Sequence, residues 1–399
     1  MTDARDSSIH GGAVQDTGFA TPDDARLGQY PDSEDAVASV RARTPRGLYL
    51  TPRQTFLTVA GVLGVVLLGL LAYLLWLQWP ADFSAKGGKV QARIEPVVAI
   101  YGPGRGALPK FNKPMGAAWG EGDRIYVADT QNSRIVVFSK DGKYLSQFGG
   151  FGIAKPINGA KATWKPGLLD YPTDVAVDAR NGDVYVADFF NDSISAFSSE
   201  GVFLRRFPEP YKPTGRGSSG SGGGGIAVTA LTVQNGKVYA TDEYQVFVFR
   251  TDGTLVKQFG LPGLDPGMLD HPNGIAVDVA GNVYVSDSNH NRVTAYDPDG
   301  KVRWTTGTKI SDLTKQTDNP FVLPRGLTVL RDGSVLVADP LGQQLVKLDE
   351  QGKVVATYGM RGAEAGQLNF PNDVSVRNDL ILIADRENDR VQVVRLINR

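Results

Sequence analysis

The chain has 399 residues, 42 Lys and Arg against 43 Asp and Glu, and a formal net charge of −1, which leaves no global basic field for nucleic acid. It has no Cys, which excludes disulfides, thiolate metal sites and a cysteine nucleophile. Its three His are His10, His271 and His290, too few for a multi-histidine metal site in the folded part.

Residues 1–55 are rich in Asp, Gly, Ser, Pro and Arg and sustain no hydrophobic period. Such a segment cannot bury enough surface to offset chain entropy, so a disordered arm is expected there. Phe56–Trp79 carries no charge, and at about 1.5 Å per residue it is long enough to cross a hydrocarbon core of about 30 Å. A single transmembrane helix is expected, with Tyr73, Trp76 and Trp79 as an interfacial belt. Arg41, Arg43, Arg46 and Arg53 precede the span without an acid among them, whereas Lys86, Lys89 and Arg93 are diluted by Asp82 and Glu95. This asymmetry predicts an uncleaved signal anchor in the cell membrane, with the N-terminus cytoplasmic, the rest extracytoplasmic and residues 80–96 as a stalk.

The remainder is repetitive. Tyr171–Gly201, His271–Gly300, Leu323–Gly352 and Phe370–Leu396 share one pattern: a Pro opening, an apolar alternation, a turn, a second alternation ending in Asp, a polar turn and a third alternation. The second alternation ends at Asp129, Asp188, Asp242, Asp287, Asp339 and Asp385, with spacings of 45 to 59 residues. That length holds four strands of about five residues plus turns, and the period of 2 supports strands throughout. The last copy stops after its third strand, while Val97–Tyr101 is a fourth strand with no copy before it. Closing a ring with that N-terminal strand removes the exposed edges.

The pattern P-x-[GD]-[IVL]-[AST]-V followed by [VI]-[YL]-[VI]-[AS]-D-x-x-N-x-R-[IV] resembles the NHL-repeat family over residues 97–399. It is kept best around Asp129, Asn132 and Arg134; around Asp287, His290, Asn291 and Arg292; and around Asp385, Asn388 and Arg390. Copy two has Ser193 in place of the Arg, copy three is shortened and lacks the Pro, and copy five has Gly342 and Gln344. The resemblance implies an all-β, six-bladed propeller behind the arm and the transmembrane helix.

The recurrent Asp ends a buried strand and is expected to accept turn N–H groups, a structural role shared by all six copies. The Arg that follows could instead recognise an anion, which makes Arg134, Arg292 and Arg390, with His290, binding candidates. The residues that vary after the Pro are Met115, Thr173, Asn273, Arg325 and Asn372, with Asp174 and Asp373 where other copies have Gly. They should face one mouth of the channel, where a rigid ring carries its ligand. Asp174 and Asp373 are also the candidates for a Ca²⁺ site, since calcium takes hard oxygen ligands, against the plainer reading that they cap their own turns. Phe189, Phe190 and Tyr244 stand where the family has polar residues and suggest an aromatic patch for a glycan or protein.

The resemblance implies a binding or scaffold module for a protein, peptide or cell-wall ligand, acting as sensor or interaction propeller without a cofactor. The alternative is an enzyme. Related six-bladed propellers include calcium-dependent lactone hydrolases and peptide-amidating lyases with histidine-bound zinc. The lyase chemistry needs more His than this propeller has, and a lactonase would have to draw on Asp174, Asp373, Asn273 and Asn372.

Overall fold

The computed structural model describes residues 90–104, 109–154, 161–208, 225–307 and 319–397. All of them lie in the compact unit Pro80–Arg399. The described residues form twenty-four strands, grouped as four four-stranded sheets and one eight-stranded sheet.

Blade one is β2 (Gly116–Gly120), β3 (Arg124–Asp129), β4 (Arg134–Phe138) and β5 (Tyr144–Gly149). Blade two runs β6 (Pro172–Val177), β7 (Val184–Asp188), β8 (Ser193–Phe197) and β9 (Phe203–Phe207). Blade three is β10 (Ala230–Gln234), β11 (Lys237–Thr241), β12 (Val246–Arg250) and β13 (Leu255–Phe259). Blade four is β14 (Pro272–Val277), β15 (Val283–Asp287), β16 (Arg292–Tyr296) and β17 (Val302–Gly307). Blade five is β18 (Leu327–Val329), β19 (Val335–Asp339), β20 (Gln344–Leu348) and β21 (Val354–Tyr358). In blade six, β22 (Pro371–Arg377), β23 (Leu380–Asp385) and β24 (Arg390–Ile397) are completed by the N-terminal strand β1 (Val90–Ile100). The first strands of successive blades touch in sequence, and β22 touches β2, so the ring is closed.

The alternation explains why the middle strands read as nearly continuous apolar runs. In β3, Ile125 and Val127 pack against blade six, while Tyr126 and Ala128 pack against blade two. Each blade junction holds one such cluster, and the six clusters together are the core. A side chain of this size contributes about 1.5–3 kcal/mol when fully buried.

The closing strand differs from expectation in extent. It starts at Val90, inside the segment expected as a stalk, and Tyr101 lies just beyond its end. Arg93–Ile100 pairs antiparallel with β24, while Val90–Ala92 pairs parallel with β21 of blade five. That second pairing fuses two blades into the eight-stranded sheet. The register shifts between Pro96 and Val98, where a bulge accommodates a residue with no N–H to donate.

The membrane expectation is corrected. Among the described residues no helix is long and apolar enough to cross a membrane. A single-pass cell-membrane protein with a cytoplasmic N-terminus and an extracytoplasmic propeller is therefore not supported. The expected arm, residues 1–55, and the stretch 56–79 lie outside the described residues. Among the described residues, apolar side chains come in runs of about five that alternate between two blade junctions.

Closure through β1 makes a prediction. Ile100 is buried in the cluster between blades one and six. Ile100→Ala should cost about 2–5 kcal/mol in urea denaturation, whereas Val97→Ala, at the exposed bulge, should change stability by about 0.5 kcal/mol or less.

Candidate functional site at the channel mouth

Each blade begins its first strand on the face where its second strand ends. In blade two, Pro172 lies opposite Asp188, and in blade four Pro272 lies opposite Asp287. The terminal Asp reaches back to the segment that leads into the first strand. Its Oδ1 accepts the N–H of Asn112 at 2.7 Å (Asp129), of Asp170 at 2.7 Å (Asp188), of Asp270 at 2.8 Å (Asp287), of Leu323 at 2.8 Å (Asp339) and of Asn369 at 2.7 Å (Asp385). The second oxygen takes the turn and the third strand: Asn132 and Arg134 donate to Asp129, His290 and Arg292 lie on Asp287, and Asn388 and Arg390 donate to Asp385, at 2.7–2.8 Å.

The Arg residues thereby have their places settled. Arg292 donates to the carbonyls of Leu264, Asp265 and Met268, and Arg390 to those of Ala363, Glu364 and Gln367. Arg134 donates to the Pro109 carbonyl and to Gln147. All three are buried and tie the inter-blade connections to the blades. His290 is buried with them. None of the four lines the mouth.

Copy two, which lacks the Arg, is repaired from the next strand. Arg206 on β9 donates to Ser193 and to the Asn191 carbonyl, and it lies 4.6 Å from the ring centre of Trp164. Sequence pattern did not reveal it, because the replacement comes from a different register. Burial pushes the pKa of Asp188 up to about 7.

The variable residues converge. Met115, Thr173, Asp174, Asn273, Arg325, Asn372 and Asp373 line one small constriction of about 10 Å³, room for about one water, together with Thr229 and Gly326. Thr229 is the blade-three member that sequence reasoning missed, because that copy has no Pro to mark it. Its hydroxyl is held by Thr241 and by the Pro272 carbonyl. The side chains are interlocked: Asn372 donates to the Met115 carbonyl at 2.7 Å, Arg325 to Asn372 at 3.1 Å, and Thr173 to the Val228 carbonyl at 3.1 Å. Behind the constriction the channel widens to about 580 Å³ toward the opposite face.

Asp174 and Asp373 form the floor between the two spaces and line both. Their roles are the same, a third of the ring apart. Asp174 accepts the N–H of Leu231 in blade three at 2.9 Å and of its own neighbour Val175 at 2.8 Å. Asp373 accepts the N–H of Ala117 in blade one at 3.0 Å. Each also fills the space left by a Gly in the preceding blade: a Cβ on Gly116 would lie 2.6 Å from Asp174, and one on Gly326 2.1 Å from Asp373. The pair thus stitches first strands together as well as capping its own turns. Burial, then the charge of Asp373, pushes Asp174 well above the usual carboxylate range, and burial lifts Asp373 to about 7. With these oxygens already engaged by backbone N–H groups, and no cluster of three or more His, Asp or Glu among the described residues, the pair is a poor fit to calcium, which takes six to eight oxygen ligands.

A second ring surrounds the first. Lys113, Tyr171, His271 and Phe370 immediately precede the Pro residues and have φ of 53°, 60°, 52° and 58°. Non-Gly residues in this left-handed region, just before Pro, are strained by the following ring and store free energy at one place. Their side chains organise the rim. Tyr171 packs on Phe190 at 4.9 Å, and Phe189 packs on Phe190 at 5.2 Å. Tyr244 meets His271 edge-on at 6.0 Å. Arg325 and Arg386 lie 5.8 and 5.3 Å from the ring centre of Phe370. The expected aromatic patch is therefore two patches, with Phe190 exposed in one and Tyr244 half-buried in the other.

This geometry sets the context for the known relatives. The NHL repeat signature matches residues 169–197, 269–296 and 368–394, which cover blades two, four and six. The chain carries NHL repeats. It is 29% identical over 152 residues to "Protein brain tumor" of Drosophila melanogaster, covering 38% of this chain and 13% of that protein. It is 29% identical over 193 residues to "NHL repeat-containing protein 3" of Mus musculus, covering 44% of this chain and 51% of that one. The chain thus spans about half or less of these curated relatives' length. Among solved structures, a protein of unknown function from Bacteroides thetaiotaomicron superposes with a TM-score of 0.54 at 19% identity, covering 77% of this chain and 75% of that one; the likeness is one of fold.

Two outcomes follow for this NHL-repeat propeller. Arg390→Met leaves the Asp385 carboxylate buried without its cation and should cost about 3–5 kcal/mol, read by chemical denaturation. Asp373 holds its proton more tightly folded than unfolded, so its contribution is full below the unfolded value near pH 4 and is lost as pH rises through about 7. The protein should melt at a higher temperature at pH 5 than at pH 8, and Asp373→Asn should flatten that difference.

Proposed function

We propose that the propeller is a binding module whose mouth face recognises a protein or peptide partner. The observation that carries this reading is the convergence of seven non-repeating side chains, with Thr229, on one constriction, while the repeated residues are occupied in holding the blades. A rigid ring that presents varied polar groups and exposed aromatics has the composition of a recognition surface. The rim supplies Phe190 and Tyr244 as anchors, and the constriction admits no drug-sized substrate.

A hydrolytic reading has one observation in its favour, the carboxyl pair Asp174 and Asp373 facing a channel of about 580 Å³. It ranks second because the pair's oxygens are engaged by backbone N–H groups and because His290 is buried on Asp287. Added calcium is expected to leave the melting temperature of both the native chain and an Asp174→Ala/Asp373→Ala variant unchanged; a rise in the native chain, lost in the variant, would reverse the ranking.

The binding reading is tested by in-cell crosslinking of the full chain, an Arg325→Ala/Phe190→Ala variant at the mouth, and a Val279→Ala variant at the opposite face, where Val279 is exposed. A partner captured by the native and Val279 forms and lost from the mouth variant supports the reading. A partner captured equally by all three removes the mouth as the recognition surface.

A further inference from the structure

Arg325 and Arg386, side by side at the mouth, both leave most of their hydrogen bonds unmade, but Arg386 has an ion-pair partner in Glu387 and Arg325 has none among the described residues. Of its five N–H donors a single one is engaged among the described residues, Nη1 on the Asn372 side-chain oxygen at 3.1 Å. Its Nε is buried with no partner. Among the described residues it makes no ion pair. Instead it lies against Phe370 and within the field of Arg386, and burial followed by that second cation lowers its pKa to about 10. A largely desolvated cation without a counter-ion is an expensive arrangement, and here a neighbouring cation worsens it.

The surroundings narrow the missing partner. Arg386 pairs with Glu387, and Lys113 lies 3.2 Å from both Glu387 and Asp389. These rim charges balance one another, and Asp174 and Asp373, which line the same constriction, make no ion pair with Arg325, so its positive charge has no partner in contact. A singly charged carboxylate restores neutrality; a phosphate dianion would add a surplus negative charge beside Glu387 and Asp389. The planar fork of Arg matches a carboxylate in two parallel hydrogen bonds. The flanking surface is aromatic: Phe370 on one side, and Tyr171, close enough to act on the charge of Arg325, leading to Phe189 and Phe190.

We propose that Arg325 is the anchor of a carboxylate-binding subsite at the channel mouth, taking the acid group of a ligand with an aromatic or large apolar body that lies on Phe370 and the Tyr171–Phe190 cluster. This rests on the reading of the mouth as a recognition surface and names what it recognises. A peptide C-terminus and a small aromatic acid share this chemistry.

The test is thermal melting of the full chain with N-acetyl-phenylalanine, N-acetyl-phenylalanine amide, 3-phenylpropionate and inorganic phosphate. N-acetyl-phenylalanine well above its Kd should raise the melting temperature by roughly 2 °C or more, and the amide should not. A shift with 3-phenylpropionate of the same size assigns the subsite to small aromatic acids, and a shift with N-acetyl-phenylalanine alone assigns it to peptide C-termini; both sustain the carboxylate. Arg325→Gln should abolish the shift while melting, without ligand, no lower than the native chain, because it removes an unbalanced charge. Arg325→Lys, which keeps the charge and loses the fork, should weaken the shift. Equal shifts for acid and amide, a larger shift for phosphate, or an undiminished shift in Arg325→Gln overturns the proposal. If the crosslinked partner is still lost from the mouth variant while the acids do nothing, only the ligand class falls; if that partner is captured equally by all forms, the mouth itself falls.

Discussion

Each blade depends on one buried carboxylate at the end of its second strand. In five of the six blades that Asp does two things at once: one oxygen holds the chain that arrives from the preceding blade, and the other holds the turn or the third strand. The cost of burying an anion is offset because its lone pairs meet donors, and where an Arg is present the charge is balanced. The residues it holds, Asn112, Asp170, Asp270, Leu323 and Asn369, stand three residues or fewer before the mouth residues. The height and direction of Met115, Thr173, Asn273, Arg325 and Asn372 are therefore set by the same interaction that sets the blade. Blade three shows the dependence by exception. Asp242 caps its own turn, through the N–H groups of Tyr244 and Gln245, and that blade's mouth residue is held by a hydroxyl pair instead.

Repetition and variation are thereby separated in space. Repeated residues face the blade junctions and the connections, where every copy needs the same packing. Residues freed from that duty collect where six first strands meet. Their identities differ around the ring, and so does the rim outside them: aromatic at Tyr171, imidazole at His271, cationic near Phe370 and charge-paired at Lys113. Left-handed backbone at four rim positions is strain that the buried Asp contacts hold in place, since each strained residue directly follows the one whose N–H the Asp accepts.

The blade pattern and the seven mouth positions were legible because both rest on punctuation. Pro marks the entry to the first strand, Asp marks the end of the second, and a period of 2 tells which side chains face inward. What lacked punctuation was lost. Thr229 has no Pro beside it. Arg206 replaces a missing Arg from another strand, a spatial relation with no sequence register. The extension of β1 back to Val90 is hidden by Pro96, which reads as a strand breaker and is accommodated by a bulge. The rim residues Lys113, Tyr171, His271 and Phe370 were passed over because a residue before Pro is expected to be extended, not left-handed.

Asp174 and Asp373 show why the mouth and the ring cannot be tuned independently. Each replaces a Gly of the repeat, and each requires a Gly in the preceding blade to make room, at Gly116 and Gly326. The substitution is thus a two-blade event: a carboxylate in one blade, a missing side chain in the blade before it, and a hydrogen bond to the blade after it. Because the two lie a third of the ring apart and share the channel, ionising one raises the cost of ionising the other. Burial holds both carboxyls above the usual carboxylate range. The floor of the channel then carries less negative charge than its composition suggests, and neither carboxyl makes an ion pair with Arg325. The unmatched cation at the mouth and the raised carboxyls in the floor both follow from the same desolvated ring interior, which penalises the charged form of whichever group it encloses.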